Sequence, residues 1–399
     1  MWRTRTAALV AACLVPVALL TATAACGSSS PPSTPTPVSS ATSAPASPGP
    51  TTSPSSSPAT SLPAGSPAPA GFRAASVTFV SSDEAYVLGT APGAGAVVLR
   101  TLDRGQSWVK LAAPAVALGR PGANGSRTAW GLRFATPSHG FVFGKGLWET
   151  ADGGAHWTLD AAPSGSILSL ATIDGQVLAL TSADPGNAPA TLLRRRLAGG
   201  SWSTVAGVKS PDLLDPTDLI STQAGTAAVL DGTSVLVTTD GGLTVRTHPL
   251  PSPNGFDPVS VAATSAGSLA ALLGGQGAAG STGKLVYTSA DGGAHWTKAG
   301  APSTAGDGVT IAGGTPATLL VASQSGASWI FSSTSAGHTW TTALTYGDGG
   351  LGWADLGFTT PSHAIVIHGA ADESGNGDGR PGRLLLSSNG GVTWQAVAF

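Results

Sequence analysis

The chain has 399 residues and a formal net charge of −2, and only 10% of its residues are charged. Its 55 glycines and 30 prolines indicate many turns and small side chains. Without an excess of basic residues to follow a phosphate backbone, nucleic acid is disfavoured as a partner. Both cysteines, Cys13 and Cys26, precede the predicted folded region, which excludes a disulfide framework within that region.

The first 25 residues have the pattern of an export signal. Two arginines lie within the first five residues, and the apolar run that follows, 7–20, is shorter than the roughly 20 residues of a membrane span. Small residues stand directly before Cys26. This arrangement resembles the lipobox of bacterial lipoproteins, which implies that residues 1–25 are removed and that Cys26 is lipidated. We therefore expect anchoring on the outer face of the cytoplasmic membrane; the alternative is ordinary cleavage near Ala25 with Cys26 unmodified.

A linker follows the predicted lipidation site. Between Gly27 and Ala70 the chain has no charged residue, and Ser, Thr, Pro, Ala and Gly make up nearly all of it. Such a segment cannot bury enough apolar area to offset the loss of chain entropy, so we predict a disordered linker over 26–70. The sequence leaves its glycosylation open. The folded domain is expected over 71–399.

One pattern, Ser/Thr-x-Asp-x-Gly-x-x-Trp, organises this folded region, and we call it the box. Its first, third, fifth and eighth positions are complete at Thr101, Asp103, Gly105 and Trp108, at Thr150, Asp152, Gly154 and Trp157, and at Ser289, Asp291, Gly293 and Trp296. Four altered copies end at residues 202, 245, 340 and 394. Successive copies from residue 108 onward are therefore 49, 45, 43, 51, 44 and 54 residues apart, the span of one four-stranded propeller blade.

The altered copies differ in which positions they have lost. The third keeps only Gly199 and Trp202, and the fourth has Asp240 but places Val245 where Trp is expected. The sixth and seventh replace Asp by Ser335 and Asn389 and end at Trp340 and Trp394. We expect the same hairpin at each copy, because Ser and Asn side chains accept backbone hydrogen bonds as Asp does, though more weakly.

A second repeated element keeps the same phase as the box. The segment from Leu132 to Gly144 is echoed from Leu356 to Ile367 and, more loosely, from Val77 to Gly89. Each copy is typical of two strands joined by a tight turn. One blade is therefore strand A, a turn, strand B, a loop, strand C, the box and strand D. We predict an all-β protein: a seven-bladed propeller of four-stranded antiparallel blades. Because the blade repeat starts and ends with the folded chain, we expect the ring to close without a strand exchanged between the first and last blades.

The residue types of the box have structural roles. The carboxylate accepts turn N–H groups, the glycine adopts a positive φ, and the tryptophan covers the hairpin. We therefore assign a structural role to Asp103, Trp108, Asp152, Trp157, Asp240, Asp291, Trp296, Trp340 and Trp394.

The repeat resembles the Asp-box (BNR) repeat, and the resemblance covers the folded region. It is closest to bacterial propellers of the photosystem II assembly-factor group. Sialidases carry the same box, but the arginine clamp segment of that family, Phe/Tyr-Arg-Ile-Pro, has no counterpart in this chain. The resemblance thus implies a fold and leaves function open.

An enzyme of another kind would need paired carboxylates. The face formed by the D–A and B–C loops is expected to carry Asp184, Asp212, Asp215, Asp218, Asp257, Asp307, Asp348, Asp355, Asp372, Glu373 and Asp378. Two of these at a suitable separation would form a glycosidase site. The simpler interpretation is that they support turns and solubility.

Metal and cofactor sites are not expected. The segment 372–383 begins like a calcium loop, but its twelfth position, which should be Glu, is Arg383. Because histidines at equivalent repeat positions are a blade or more apart, a histidine metal cluster is not expected. We predict no cofactor, and a flexible B–C loop over 372–383.

Aromatic residues outside the boxes define a candidate binding face, formed by Trp130, Tyr346, Asp348, Trp353 and Asp355. Aromatics beside Asp in Gly-rich loops suit recognition of a sugar or peptide, and equally suit packing around the channel. We interpret the chain as a monomeric, non-enzymatic binding or scaffold module for protein or glycan in the cell envelope. The alternative is a secreted glycosidase-like hydrolase that uses paired Asp carboxylates on this face.

Overall fold

Seven sheets follow one another along the chain and form the blades of a propeller. We describe them from a computed structural model, which covers residues 62–119, 128–183, 189–209, 219–370 and 381–399. Strands, turns and irregular segments account for these residues, and none of them lies in a helix. Within these ranges, no helix has the length and apolar character needed to cross a membrane. The predicted all-β, seven-bladed architecture is confirmed.

Each blade contains four consecutive strands, A to D, from the channel outwards. From blade 1 to blade 7, strand A is β2 (Arg73–Phe79), β7 (Thr128–Phe134), β11 (Ser166–Ile173), β15 (Ile220–Gln223), β19 (Phe256–Ser265), β23 (Asp307–Gly313) and β27 (Trp353–Phe358). Strand B is β3 (Ala85–Thr90), β8 (Gly140–Gly144), β12 (Gln176–Ser182), β16 (Thr226–Asp231), β20 (Ser268–Ala278), β24 (Leu319–Gln324) and β28 (Ala364–His368). Strand C is β4 (Val97–Thr101), β9 (Gly146–Thr150), β13 (Ala190–Arg196), β17 (Ser234–Thr238), β21 (Ser281–Ser289), β25 (Gly326–Ser333) and β29 (Arg383–Ser387). Strand D is β5 (Val109–Leu111), β10 (Thr158–Asp160), β14 (Ser203–Val208), β18 (Arg246–Pro249), β22 (Thr297–Gly300), β26 (Thr341–Gly349) and β30 (Gln395–Ala396).

Two short strands extend the first two blades. β1 (Ser66–Pro67) pairs antiparallel with β5 at the outer edge of blade 1, and β6 (Ala117–Leu118) pairs parallel with β7. The carbonyl of Pro63 accepts a hydrogen bond from the buried Arg100 at 2.6 Å. The folded region therefore includes residues ahead of the expected boundary at residue 71.

The box lies on the hairpin between strands C and D in every blade, as predicted. In the second blade, Thr150 donates to Asp152 at 2.8 Å and accepts from the Gly154 N–H at 2.9 Å. Asp152 in turn accepts from the His156 N–H at 3.0 Å. Equivalent networks occur in the hairpins whose first positions are Thr101, Thr238, Ser289, Ser333 and Ser387. Ser335 and Asn389 thus replace Asp in this role.

The box carboxylates accept hydrogen bonds from residues of their own hairpins. Hydrogen bonds from the Ser107 side chain and backbone hold the pKa of Asp103 at about 2, and those from Thr244 do the same for Asp240. The fourth residue of a box also donates its N–H to the A–B turn of the same blade, as Gly153 does to the Ser138 carbonyl at 2.8 Å. This bond explains why the two repeated elements keep the same phase.

Removing one box hydroxyl should destabilise the protein. In Thr150→Val the buried Gly154 N–H loses its acceptor, and Asp152 loses a donor. We expect the free energy of unfolding to fall by about 1–3 kcal/mol, measured by denaturant titration. Thr158→Val, at an exposed position on β10, is the matched control. Equal stability of the two variants would contradict a structural role for the box.

Seven apolar clusters make up the core, one at each junction between neighbouring blades. The eighth residue of each box packs against the cluster that its blade shares with the preceding blade. At six junctions this residue is a tryptophan: Trp108, Trp157, Trp202, Trp296, Trp340 and Trp394. At the junction of blades 3 and 4 it is Val245. The box Trp therefore joins blades as well as covering its hairpin.

A belt of polar side chains links the inner strands. Strand A carries a bulge in every blade but the fourth, and a small polar residue usually follows it. At this position, the hydroxyl oxygens of Ser76, Ser169 and Ser260 accept a hydrogen bond from a backbone N–H of a neighbouring inner strand, at 3.1, 3.3 and 3.3 Å. In blade 7 Asp355 has this function, accepting from the Val77 N–H at 2.6 Å.

The ring closes between blades 7 and 1 without exchanging a strand, as the blade phase predicts. One apolar cluster spans the closure and includes Val87 and Leu99 of blade 1 and Ile367 and Leu384 of blade 7. The Ala74 N–H also donates to the Gly382 carbonyl at 2.7 Å. The closing junction is thus built like the other six.

Candidate functional site

A cavity of about 280 Å³ lies in the central channel. The inner strands of six blades line it, and its polar side chains are Thr78, Arg133, Ser221, Thr222, Gln223, Asp355 and Thr359. The Gln223 amide donates to the Gly313 and Gly314 carbonyls at 3.4 and 3.3 Å. It therefore bridges blades 4 and 6 across the channel, where these inner strands enter their A–B turns.

Among the described residues that line this cavity, Arg133 and Asp355 are charged, and they pair with each other. Arg133 Nη2 lies 2.8 Å from Asp355 Oδ1, and the side chains are 17% and 2% exposed. Asp355 Oδ2 accepts from the Ser76 hydroxyl at 2.6 Å and from the Val77 N–H. Arg133 Nη1 donates to the Leu132 carbonyl at 2.7 Å. The cluster joins blades 1, 2 and 7 and leaves the cavity without net charge.

The structure corrects the expected position of Asp355. We predicted it on the face of the D–A and B–C loops, but it lies within the bulge of β27, in the channel wall. Its φ of 51° is in the left-handed region, which Asp adopts more readily than most residues. The bulge turns its carboxylate towards blade 1, where it substitutes for the serine of other blades.

Three other predicted face residues, Tyr346, Asp348 and Trp353, do come together, at the junction of blades 6 and 7. Tyr346 stacks on His368 with ring centroids 4.2 Å apart, and Trp353 lies 5.1 Å from the same imidazole. His368 Nε2 donates to the Asp348 carboxylate, which also accepts from the Ser328 hydroxyl at 2.8 Å. The exposed Arg383 also lies over the Tyr346 ring, 5.5 Å from its centroid.

The electrostatics of this cluster favour a charged Asp348. Burial opposes its ionisation, but hydrogen bonds from His368, Ser328 and the Gly350 N–H outweigh burial and lower its pKa. A general acid needs the opposite shift. His368 Nδ1 is buried and has no hydrogen-bond partner among the described residues. The stacked rings and the hydrogen bonds to Asp348 are suited to fixing the conformation of the loop face at this junction.

The structure buries the two predicted face tryptophans. Trp130 and Trp353 are each 5% exposed and belong to apolar clusters between blades. Trp353 Nε1 donates to the Ser323 carbonyl at 3.2 Å. Their geometry favours packing around the channel, the second of the two expected roles. A direct role in binding stays a prediction.

Most of the other acids considered for a catalytic pair cannot be placed. Asp184, Asp212, Asp215, Asp218, Asp372, Glu373 and Asp378 lie outside the described residues, as does most of the 372–383 segment considered for calcium. Asp257 and Asp307 are exposed near the starts of β19 and β23. In the described ranges, no group of three or more His, Cys, Asp or Glu could hold a metal ion.

Sequence reasoning missed a buried lysine beside the loop face. Lys284, in β21, is 2% exposed, and its ammonium nitrogen lies 2.6 to 3.2 Å from four carbonyl oxygens that share its three N–H donors. Three of these carbonyls, of Ser303, Ala305 and Gly306, belong to the loop from blade 5 to blade 6. Burial lowers the pKa of Lys284 to about 8, against the opposing charge of Asp307. The lysine fixes the path of this loop.

The depressed pKa predicts a pH dependence of stability. Between about pH 8 and the ordinary lysine value of 10.5, the unfolded chain holds more protons at Lys284 than the folded protein does. The free energy of unfolding of the wild type should therefore rise with pH in this window relative to Lys284→Met. Denaturant titrations of both proteins from pH 7 to 10.5 test this. Parallel pH profiles would show that the lysine titrates normally.

The pairing of Arg133 with Asp355 left a signal in the repeats. When the second repeated elements are aligned, Arg133 corresponds to Thr78 and Gly357, and Asp355 corresponds to Ser76 and Gly131. Each is a charged residue at a position where the other aligned copies are small and uncharged. Two such exceptions of opposite sign indicate a pair.

Solved structures share the fold of this chain. A structure of YCF48 bound to D1 peptide matches with a TM-score of 0.51 and 16% identity, over 81% of this chain and 95% of that chain. YCF48 from Cyanidioschyzon merolae matches with a TM-score of 0.51 and 14% identity, over 81% and 97%. A PL25 polysaccharide lyase, an ulvan lyase bound to GlcA(1-4)Rha3S, has a TM-score of 0.51 and 10% identity, over 82% and 97%. No family model and no curated protein matches the sequence.

Proposed function

We propose that this protein is a non-enzymatic binding module, an Asp-box propeller that takes a segment of a protein or glycan into its channel cavity. The observation that carries the proposal is the pairing of Arg133 with Asp355 at 2.8 Å in the cavity wall. Because the two charges offset each other, the cavity favours an uncharged polar ligand. Peptide backbone and sugar hydroxyls both match its hydroxyl, amide and carbonyl groups.

The neighbouring structures support both ligand classes. YCF48 has been solved bound to D1 peptide, and the ulvan lyase bound to a saccharide, so propellers of this size accept either kind of chain. At 16% and 10% identity, these structures support only the capacity of the fold to bind a peptide or a saccharide. The ligand class proposed for the present chain is inferred from the residues that line its own cavity.

The alternative, a hydrolase with paired carboxylates, has less support. Among the described residues that line the cavity, Asp355 is the one carboxylate, and Arg133, Ser76 and Val77 donate hydrogen bonds to it. Asp348, at the loop face, has a lowered pKa and hydrogen bonds to His368 and Ser328. A glycosidase needs a second carboxyl that retains its proton near neutral pH.

Binding to an array of synthetic peptides and glycans tests the proposal. We expect the full-length protein to retain a related set of peptides or glycans. Retention of none at micromolar protein, with the array validated by a known lectin and a known peptide-binding domain, would contradict it.

We further propose that a lipid on Cys26 holds the propeller outside the cytoplasmic membrane. The apolar run and the small residues before Cys26 support this proposal. In Cys26→Ala the protein should appear in the medium or remain uncleaved in the membrane. Detergent-phase partitioning of wild type and variant in the native host measures the effect. Identical partitioning with normal processing would rule out lipidation at Cys26.

A further inference from the structure

A segment ahead of the first blade shows how this propeller holds an extended peptide. Residues 62–67, which include β1, run along the outer edge of blade 1 beside β5 and reach the second box. The Pro63 carbonyl accepts a hydrogen bond from Arg100 at 2.6 Å. Gly65 approaches β5 so closely that an added Cβ would lie 2.9 Å from the Lys110 carbonyl oxygen. The segment is therefore held by strand pairing at the edge and by a hydrogen bond from an arginine.

The second box forms the other wall of this groove. At its fourth residue, Gly153, an added Cβ would lie 2.8 Å from Leu62 and 3.3 Å from Pro63. The Gly153 N–H donates to the Ser138 carbonyl of the A–B turn at 2.8 Å. The groove thus lies between the outer hairpin of one blade and the box and A–B turn of the next blade.

The equivalent groove between blades 4 and 5 contains a cavity of about 170 Å³. The C–D hairpin of blade 4 lines one side, and the box and A–B turn of blade 5 line the other. The backbone frame is the same, because the Gly292 N–H donates to the Gly267 carbonyl at 2.7 Å. An added Cβ at Gly292 meets no atom of the described residues within 4 Å, whereas Leu62 fills that space at Gly153.

The two remaining boxes with glycine at this position have no such space. An added Cβ would lie 2.5 Å from the Gln176 side chain at Gly241 and 3.1 Å from the Thr318 side chain at Gly390. Among these four boxes, the fifth is therefore the one whose groove is unfilled in the described part of the chain.

The filled and the unfilled groove share a cross-strand pair of residue types. In blade 1, Arg100 of strand C lies directly opposite Val109 of strand D, and in blade 4 Val237 lies opposite Arg246. Directly opposite residues project from the same face of a sheet, so each groove has one arginine and one valine, with the strands exchanged. The described strands of the other five blades pair different residue types at this place. Both Val237 and Arg246 line the cavity.

We propose that the groove between blades 4 and 5 is a docking site for an extended, proline-containing segment of a partner protein, similar in chemistry to residues 62–67. The segment pairs with β18, the outer strand of blade 4, and Arg246 donates to one of its main-chain carbonyls. An apolar side chain in the place of Leu62 fills the space beside Gly292. Addition of a strand to an exposed sheet edge is a common mode of peptide recognition. Because the protein's own segment is seated at blade 1, the occupant of this groove comes from another protein.

The test titrates a hexapeptide with the sequence of residues 62–67, acetylated and amidated at its ends, into the full-length protein. Amide NMR should show saturable shifts at Gly292 and Thr247 that exceed those at Gly153. A peptide with both prolines replaced by glycine should bind about threefold or more weakly, because proline reduces the chain entropy lost on binding.

Variants of the cavity lining locate the binding site. Ala290→Phe fills the cavity and Arg246→Gln removes its guanidinium, so each should weaken peptide binding about fivefold or more. Ser388→Phe, at the same exposed box position in blade 7, and Lys298→Gln, at an exposed position on β22, are the matched controls and should bind like wild type. Gly357→Phe, which changes the channel, should also bind the peptide like wild type, which separates this groove from the proposed function.

Four results would overturn the proposal. The first is an absence of local shifts in the wild type at peptide concentrations up to its solubility. The second is unchanged binding in Ala290→Phe or, should that variant fail to fold, in the exposed Arg246→Gln. Shifts confined to Gly153 and its neighbours would show exchange with residues 62–67 at blade 1 instead. Binding that appears only after residues 27–57 are deleted would assign the groove to the protein's own linker.

Discussion

We expect Asp355→Ala to lower the free energy of unfolding by about 3–5 kcal/mol, the largest stability effect predicted for a single side chain of this protein. The substitution leaves the Arg133 guanidinium, the Ser76 hydroxyl and the Val77 N–H without their shared acceptor. Breaking a buried ion pair from one side costs this much because the remaining charge is uncompensated. Denaturant titration by tryptophan fluorescence measures the loss.

A double variant separates the ion pair from the hydrogen-bonded belt. Asp355→Ser restores a hydroxyl acceptor of the kind that Ser76 and Ser169 provide, but removes the carboxylate that pairs with Arg133. Adding Arg133→Thr gives both positions the residue types of blade 1, and most of the lost stability should return. Strictly additive losses in this double-mutant cycle would show that the two charges do not interact.

Filling the channel cavity should weaken ligand binding. Gly357 lines the channel cavity, and a side chain added there meets no atom within 4 Å. Gly357→Phe should therefore fold normally while its ring occupies the space of the ligand. We expect binding of the peptides or glycans retained by wild type to fall at least tenfold, about 1.4 kcal/mol, measured by titration calorimetry.

A matched glycine on the outside of the propeller provides the control. Gly207, in β14, is exposed and also has free space around an added side chain. Gly207→Phe should bind like wild type. If both variants bind equally well, the ligand does not use the channel. If Gly207→Phe alone loses binding, the binding surface is on the outer edge of blade 3.

The fold was predictable because its signals are local in the sequence. The hydrogen bonds between residues within a box span no more than four positions, such as Gly154 to Thr150 and His156 to Asp152. Eight residues therefore specify a hairpin, and seven copies at blade spacing specify the ring. Even Ser335 and Asn389 were identified as substitutes for Asp, because the accepting oxygen matters more than the charge.

The channel site was not predictable in this way. Arg133 and Asp355 are 222 positions apart and meet only because blades 2 and 7 both border blade 1 in a closed ring. The bulge in β27 also determines which way Asp355 points, and a simple alternation of strand residues does not show a bulge. Asp355 was for this reason assigned to a loop face.

The aromatic residues illustrate a similar limit. The sequence placed Trp130 and Trp353 near the ends of D–A loops, where a side chain turns either towards solvent or between blades. Both are 5% exposed, because neighbouring strands cover them. Lys284 left no signal at all, since its four carbonyl partners depend on the path of the loop from blade 5 to blade 6.

Mass spectrometry of ligands after incubation with the protein tests the central claim, that the propeller binds without catalysis. Peptides or glycans retained by wild type are incubated with stoichiometric protein, and their masses are compared with those of protein-free controls. We predict that every retained ligand is recovered intact. Cleavage that disappears in Asp348→Asn or Asp355→Asn, while binding of the ligand persists, would contradict the claim and establish a hydrolase or lyase.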